Sequence, residues 1–134
     1  MKFLKYALII FVVALITDAT IVLAGVPTVG ITHELDGGNV KKTSYYEKDT
    51  WTTQKYSNKT ASTWLTDPCT SCQIGAKPGT SSGDLGSGVV TIMGQTKSFT
   101  DPTSLSSPGT YRLSIWRVDA TLLSTYHTAI WTLN

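Results

Sequence analysis

The stretch that decides the fold is TYRLSIW at residues 110–116, near the end of the chain. Tyr111, Leu113 and Ile115 are apolar, and the residues between them are polar. Because successive side chains of a β-strand point to opposite faces, this alternation predicts a strand with one buried face. The alternation stops at Trp116-Arg117-Val118, which leaves two alternatives there, a β-bulge or a strand covered on both faces.

The closing stretch, YHTAIWTL at residues 126–133, extends the same argument. Ala129, Trp131 and Leu133 share one face of a predicted strand, and the opposite face also carries apolar side chains. Since both faces are partly apolar, we expect this strand to lie inside a sheet rather than at its edge.

Short apolar or alternating stretches recur outward from here, separated by clusters of Gly, Pro, Asn and Asp that favour turns. Helical periodicity is absent after residue 25, so we predict an all-β protein, a single antiparallel β-sandwich. We expect Asp36-Gly37-Gly38-Asn39 to form a hairpin joining the first two strands. The predicted strands are 28–35, 40–47, 51–56, 62–66, 89–93, 96–99, 111–118 and 126–133, and the predicted separators are 36–39, 57–59, 67–68, 77–79, 83–88, 101–102 and 107–109.

Residues 107–115, Ser-Pro-Gly-Thr-Tyr-Arg-Leu-Ser-Ile, resemble the entry to the penultimate strand of extracellular immunoglobulin-like domains. In that superfamily a Pro-Gly turn precedes a Tyr and alternating aliphatic residues, and a final strand closes the sheet. The resemblance implies an immunoglobulin-like architecture only, because a fold does not fix a function. Cys69 and Cys72 are too close together to be the inter-sheet pair of antibody-type domains.

Residues 1–24 have the layout of a secretory signal peptide, with two lysines, the apolar run YALIIFVVALI and a small residue, Ala24, before the expected cleavage site. Ala19 satisfies the same rule as a second cleavage position. The alternative is a membrane anchor, but Thr-Asp-Ala-Thr interrupts the run, and a span needs about 20 apolar residues. We therefore expect a secreted domain at residues 25–134, or one tethered to an outer membrane face by an uncleaved leader.

Composition limits the class of protein further. The chain has 134 residues and a formal net charge of +2, and residues 25–134 carry 9 basic and 8 acidic side chains. This length suits one domain with a real core. A near-neutral chain with scattered basic residues argues against a nucleic-acid partner. Four Trp and six Tyr supply enough apolar area to argue against intrinsic disorder.

Cys69 and Cys72 are the only cysteines, in a Cys-Thr-Ser-Cys sequence. No βαβ pattern of a thioredoxin-type enzyme surrounds them, and an exported chain favours oxidation, so we predict a structural disulfide. Together with His33 and His127 they form a Cys₂His₂ set by count. Zinc fingers keep their histidines a few residues apart, however, so we predict no metal and no cofactor.

The sequence offers little for catalysis. It has no G-x-S-x-G nucleophile elbow, and only His33 and His127 could serve as an imidazole base. Most carboxylates that could pair as in glycosidases lie in predicted turns, where Asp bonds the backbone. We therefore predict no catalytic residues and a non-enzymatic function, with a small secreted hydrolase as an alternative.

Aromatic side chains form the best candidate surface, because aromatic residues are enriched at binding hot spots. We predict that some of them anchor a sugar ring or a partner's side chain, while others pack in the core. Asn58-Lys59-Thr60 within this stretch is an N-glycosylation sequon. The candidate binding residues are Tyr45, Tyr46, Trp51, Tyr56 and Trp64.

The predicted function is that of a secreted binding module for a cell-surface glycan or protein. The alternative from another class is an antimicrobial or toxin-like protein that acts on membranes or envelopes through exposed Trp and Tyr. A membrane partner is otherwise expected only through an uncleaved leader. Self-assembly through an exposed edge strand is a further expectation.

Overall fold

The computed structural model describes residues 28–36, 38–63, 68–119 and 124–134. The predicted signal segment, residues 1–24, and the boundary that follows it lie outside the described residues. Within them the chain forms strands and one short 3₁₀ helix, Thr103–Ser106. The strands are β1 (Thr28–Leu35), β2 (Lys41–Lys42), β3 (Tyr46–Lys48), β4 (Lys55–Thr63), β5 (Ile74–Thr80), β6 (Gly83–Asp84), β7 (Val89–Thr91), β8 (Thr96–Ser98), β9 (Gly109–Arg117) and β10 (Thr125–Thr132).

The strands form two antiparallel sheets. In the first sheet the order is β1-β10-β4-β8. The second sheet is built on the long pair β9 and β5: β2 and β3 pair with the far edge of β9, and β6 and β7 pair with the far edge of β5. The all-β prediction is confirmed, and the closing strand β10 lies between β1 and β4, inside a sheet as predicted.

One hydrophobic cluster joins the two sheets. The alternation in β9 is confirmed, since Tyr111, Leu113 and Ile115 are buried. Burial of one large apolar side chain contributes about 1.5–3 kcal/mol, so these inward faces supply most of the driving force for packing. The cluster consists of Val29, Ile31, Leu35, Tyr56, Ile74, Ala76, Phe99, Leu105, Tyr111, Leu113, Ile115, Ala129, Trp131 and Leu133.

The β-bulge lies in a different strand from the one where the alternation lapses. β9 keeps an unbroken register with β5 from Arg112 to Arg117, so the strand simply continues with Arg117 buried. The register shift occurs instead between β10 and β4, where Thr128 faces Thr60 and Ala129 faces Asn58. The extra residue, Lys59, is exposed.

Two predicted separators are strand interiors. Lys77-Pro78-Gly79 lies in β5, and Pro78 is tolerated because it falls between the residues that pair with β7 and those that pair with β6. Ser57-Asn58-Lys59 lies in β4, where the bulge accommodates it. The predicted strand at 51–56 was therefore placed too early, since β4 begins at Lys55 and residues 51–54 are a loop.

The predicted hairpin between the first two strands is wrong. The turn itself forms, since the amide of Asn39 donates to the carbonyl of Asp36 at 2.9 Å. The chain then crosses from the first sheet to the second, so β1 and β2 are not neighbours. β9 and β10 likewise lie in different sheets, whereas an immunoglobulin-like domain keeps its last two strands side by side.

Candidate functional site

Trp51 is the most exposed large apolar side chain among the described residues, with 77% of its surface accessible. It stands in the loop of residues 49–54 between β3 and β4, named here the Trp51 loop. Thr52 and Thr53 beside it are also exposed. An indole displayed in this way leaves its face free to contact a ligand, with hydroxyl groups close by.

A buried lysine fixes one end of the Trp51 loop. Lys48 is only 1% exposed, and its ammonium group donates to the carbonyl of Leu133 at 2.7 Å, to Thr52 Oγ1 at 2.9 Å and to Thr50 Oγ1 at 3.3 Å. Three acceptors satisfy the three N–H groups of an ammonium. Burial lowers the pKa of Lys48, and the neighbouring charge of Asp49 opposes that effect.

Asn134, two residues beyond the end of β10, holds the same loop through its side-chain amide. Asn134 Oδ1 accepts hydrogen bonds from the amides of Asp49, at 3.2 Å, and Thr50, at 3.3 Å, and from Thr50 Oγ1 at 2.9 Å. These bonds tie the first residues of the Trp51 loop to the end of the first sheet.

Gln54 fixes the other end of the loop and is fully buried. Its Nε2 donates to the carbonyl of Leu105 at 2.9 Å, and its Oε1 accepts from Trp131 Nε1 at 3.0 Å. Its main-chain carbonyl accepts from the amide of Phe99. Because both ends are hydrogen-bonded to the core, the Trp51 loop is ordered before any ligand arrives, which lowers the entropic cost of binding.

Each of the other predicted binding residues that the structure describes has partners of its own. Tyr45 is 37% exposed, and the guanidinium carbon of Arg112 lies 5.1 Å from its ring centroid. Tyr46 packs edge-on against the core residue Trp131, with ring centroids 6.1 Å apart. Trp64 lies outside the described residues.

Tyr56 is fully buried, so its ring belongs to the core and not to a binding surface. Its hydroxyl donates to Nε2 of His127, and Nδ1 of His127 donates to the carbonyl of Thr60 at 2.9 Å. The carbonyl can only accept, which places the imidazole proton on Nδ1. Both ring nitrogens are thus engaged, and burial lowers the pKa of His127, so this histidine is not free to act as a base.

The two remaining chemical motifs have structural roles. Cys69 and Cys72 form a disulfide, as predicted, with Cα atoms 5.4 Å apart, so their sulfurs are not thiolate ligands. Asn58 of the glycosylation sequon is fully buried in β4, and a glycan on it is incompatible with this fold. Across the described ranges, no three His, Cys, Asp or Glu side chains are grouped so as to hold a metal ion.

A second surface escaped the sequence prediction because its residues come from four separate stretches. Outward-facing side chains of the second sheet form it, and we name it the outer patch. Its members are Tyr45, Lys77, Asp84, Arg112, Ser114 and Trp116. The polar residues that alternate with apolar ones in β9, Arg112 and Ser114, indicated an outward face. The residues beside them on that face could not be predicted, because they depend on the order of the strands.

Two glycines in β5 shape this patch. The indole of Trp116 lies across Gly75, with Nε1 2.7 Å from the place a Cβ would occupy, and Lys77 Nζ lies 6.0 Å from the centroid of that ring. The carboxylate of Asp84 lies over Gly79 and accepts a hydrogen bond from Ser114 Oγ at 3.0 Å. A side chain at either glycine would displace these groups.

Comparison with protein-family models, with curated proteins and with solved structures gives no significant match to this chain. Of the helices in the described part of the chain, none has the length and apolar character needed to cross a membrane.

Proposed function

We propose that the chain is a secreted jelly-roll β-sandwich that binds a cell-surface glycan through the Trp51 loop, without catalysis. The fold assignment rests on strand order. We count β2 and β3 as one position because both pair with β9, and β6 and β7 as one because both pair with β5. Numbered along the chain, the eight positions then have the order 1-8-3-6 in the first sheet and 2-7-4-5 in the second. This is the double Greek-key order of a jelly roll, a fold found among lectin domains. The fold alone does not carry the function.

The main support for a binding function is the exposed indole of Trp51, on a loop that is hydrogen-bonded at both ends. Leaving Trp51 77% exposed forfeits the free energy of burying it. The hydrogen bonds of Lys48 and Gln54 hold the loop in this exposed form. Ordered aromatic side chains are the usual anchors of binding surfaces.

The surroundings of Trp51 favour a glycan over a membrane. Beside Trp51 the loop exposes the hydroxyl of Thr53 and the carboxylate of Asp49, and these polar groups suit hydrogen bonds to sugar hydroxyls. Entry into a bilayer would carry the carboxylate of Asp49 and the hydroxyls out of water at a cost. An indole face beside short hydroxyls can stack on a sugar ring while the rim forms hydrogen bonds.

A glycan array probed with residues 25–134 tests the proposal. The comparison pairs Trp51→Ala with Tyr126→Ala, which removes another exposed aromatic ring, 44% exposed, from β10. We expect binding by the wild type and by Tyr126→Ala, and its loss in Trp51→Ala. A blank array at high protein concentration would overturn the proposal, and so would leakage of dye from liposomes that depends on Trp51 in the absence of glycan binding.

A further inference from the structure

The outer patch gathers cations around one serine. Ser114 faces Lys77 of β5 on one side and, on the other, Lys42 of β2, which borders the patch; Arg112 is the next outward residue on β9. The carboxylate of Asp84 is bonded to Ser114. Glu47 pairs with Thr110 on the same face, two residues from Arg112 and about 7 Å away at strand spacing.

The three cations, Lys42, Lys77 and Arg112, outnumber the two carboxylates that the described residues place on this face, Asp84 and Glu47. The salt bridge found among the described residues joins Arg117 to Asp119 and involves none of the three cations. Arg112 Nε is in addition buried with no hydrogen-bond partner among those residues. That atom is out of reach of a ligand, so an incoming anion would bind the other N–H groups of the guanidinium of Arg112, a residue that is partly exposed.

Two aromatic rings bracket the cations. Trp116 lies beside Lys77 at one end, and Tyr45 lies beside Arg112 at the other. From Arg112 to Trp116 the strand rises about 13 Å, which is the scale of a short linear oligosaccharide lying along β9. Aromatic faces suit the apolar faces of sugar rings, and Arg and Lys suit carboxylate or sulfate groups.

We propose that the outer patch binds an anionic polysaccharide, one whose sugars carry carboxylate or sulfate groups. Lys77 and Arg112 bind the acidic groups, and Trp116, seated on Gly75, stacks against a sugar ring. Charge complementarity selects this ligand over a neutral glycan. The site is separate from the Trp51 loop and does not rest on the function proposed for that loop.

Affinity electrophoresis of residues 25–134 in native gels tests the site, with polygalacturonate as the carboxylate probe, heparin as the sulfate probe and dextran as the neutral control. The patch variant is Lys77→Gln with Arg112→Gln. The matched control is Lys55→Gln with Lys97→Gln, which removes two exposed charges from the first sheet. Circular dichroism checks that each variant is folded.

We expect retardation by at least one anionic probe at about 0.15 M salt, weakened on the order of tenfold in the patch variant and by less than about twofold in the control. Trp116→Ala should weaken it as well, and Trp51→Ala should leave it unchanged. Equal loss in both glutamine pairs, equal retardation by dextran, no retardation by either anionic probe, or loss in Trp51→Ala would each overturn the proposal. Loss of glycan-array binding alone would bear only on the Trp51 loop.

Discussion

Lys48 donates a hydrogen bond from its ammonium group to the main-chain oxygen of Leu133, 85 positions away, at 2.7 Å. The bond joins the start of the Trp51 loop to the end of the first sheet. Burying a charge is costly unless its donors are satisfied, and here Thr50 and Thr52 supply the remaining acceptors. The position of Trp51 therefore depends on a group that a ligand need not touch.

Replacing Lys48 with methionine should destabilise the protein and weaken binding at Trp51 together. The substitution fills a similar volume but leaves the Leu133 carbonyl and the loop hydroxyls without their donor. We expect the free energy of unfolding to fall by about 1–3 kcal/mol. Urea denaturation measures this change, and limited proteolysis should show cleavage in the Trp51 loop.

Lys55→Met is the matched control, because Lys55 is an exposed lysine close by in the chain. It should change the free energy of unfolding by less than about 0.5 kcal/mol. If Lys48→Met were as stable and as resistant to protease as this control, the hydrogen bonds of Lys48 would not be what holds the loop.

Stability should decrease as the pH falls from about 7 towards 5. His33 and His127 face each other across β1 and β10, with Tyr56 on one side and Lys41 nearby. Burial lowers the pKa of both, and the charge of Lys41 lowers that of His33 further. Below the ordinary histidine pKa of about 6.5, the unfolded chain binds protons that the folded chain does not, so stability is lost as pH falls through that window.

Thermal unfolding followed at several pH values measures this effect. His33→Gln should flatten the dependence between pH 7 and 5, because one of the two depressed groups is gone and the other loses a like-charged neighbour. A melting temperature in the wild type that rises on acidification over this range would contradict the lowered pKa values.

Gly75→Ala should destabilise the second sheet through Trp116. A Cβ at residue 75 would collide with the indole, and overpacking of this kind costs about 1–3 kcal/mol. Gly30→Ala in β1 is the matched control, since no heavy atom lies within 4 Å of its added Cβ. That substitution should be neutral or slightly stabilising.

A double-mutant cycle isolates the contact between residue 75 and residue 116. In a Trp116→Ala background, Gly75→Ala should lose most of its cost, giving a coupling energy of about 0.5–3 kcal/mol. Equal costs in both backgrounds would mean that the indole does not lie across Gly75 in solution.

Local patterning was enough to place individual strands. β1, β9 and β10 were predicted within two residues of their observed ends. The sequence of each strand either alternates or is largely apolar, and such patterns indicate a buried strand. The prediction missed β5 because Pro78 was interpreted as part of a turn. A proline is tolerated in this strand because it lies between the residues that pair with β7 and those that pair with β6. Which strands pair depends on residues far apart in the chain. The local pattern therefore could not decide whether β1 forms a hairpin with the next strand, or whether the strand order is immunoglobulin-like.

The binding surfaces were predictable only in part. A dense run of Tyr and Trp indicated that some rings would be exposed, but sequence could not separate Trp51, in the solvent, from Tyr56, in the core. The difference is that Tyr56 lies within β4 and faces inward, whereas Trp51 precedes that strand. The outer patch is assembled from β5, β6 and β9 and from Tyr45, and nothing local to any one of them indicates the others.

The central claim is that Trp51 on its hydrogen-bonded loop is the contact made with a cell-surface glycan. Its most direct test is the dissociation constant of the wild type, Trp51→Ala and Tyr126→Ala for one glycan that retains the wild type on the array. We predict that Trp51→Ala weakens binding by at least about 30-fold, the scale of a 2 kcal/mol hot spot, and that Tyr126→Ala binds as the wild type does. Unchanged affinity in a folded Trp51→Ala protein would contradict it.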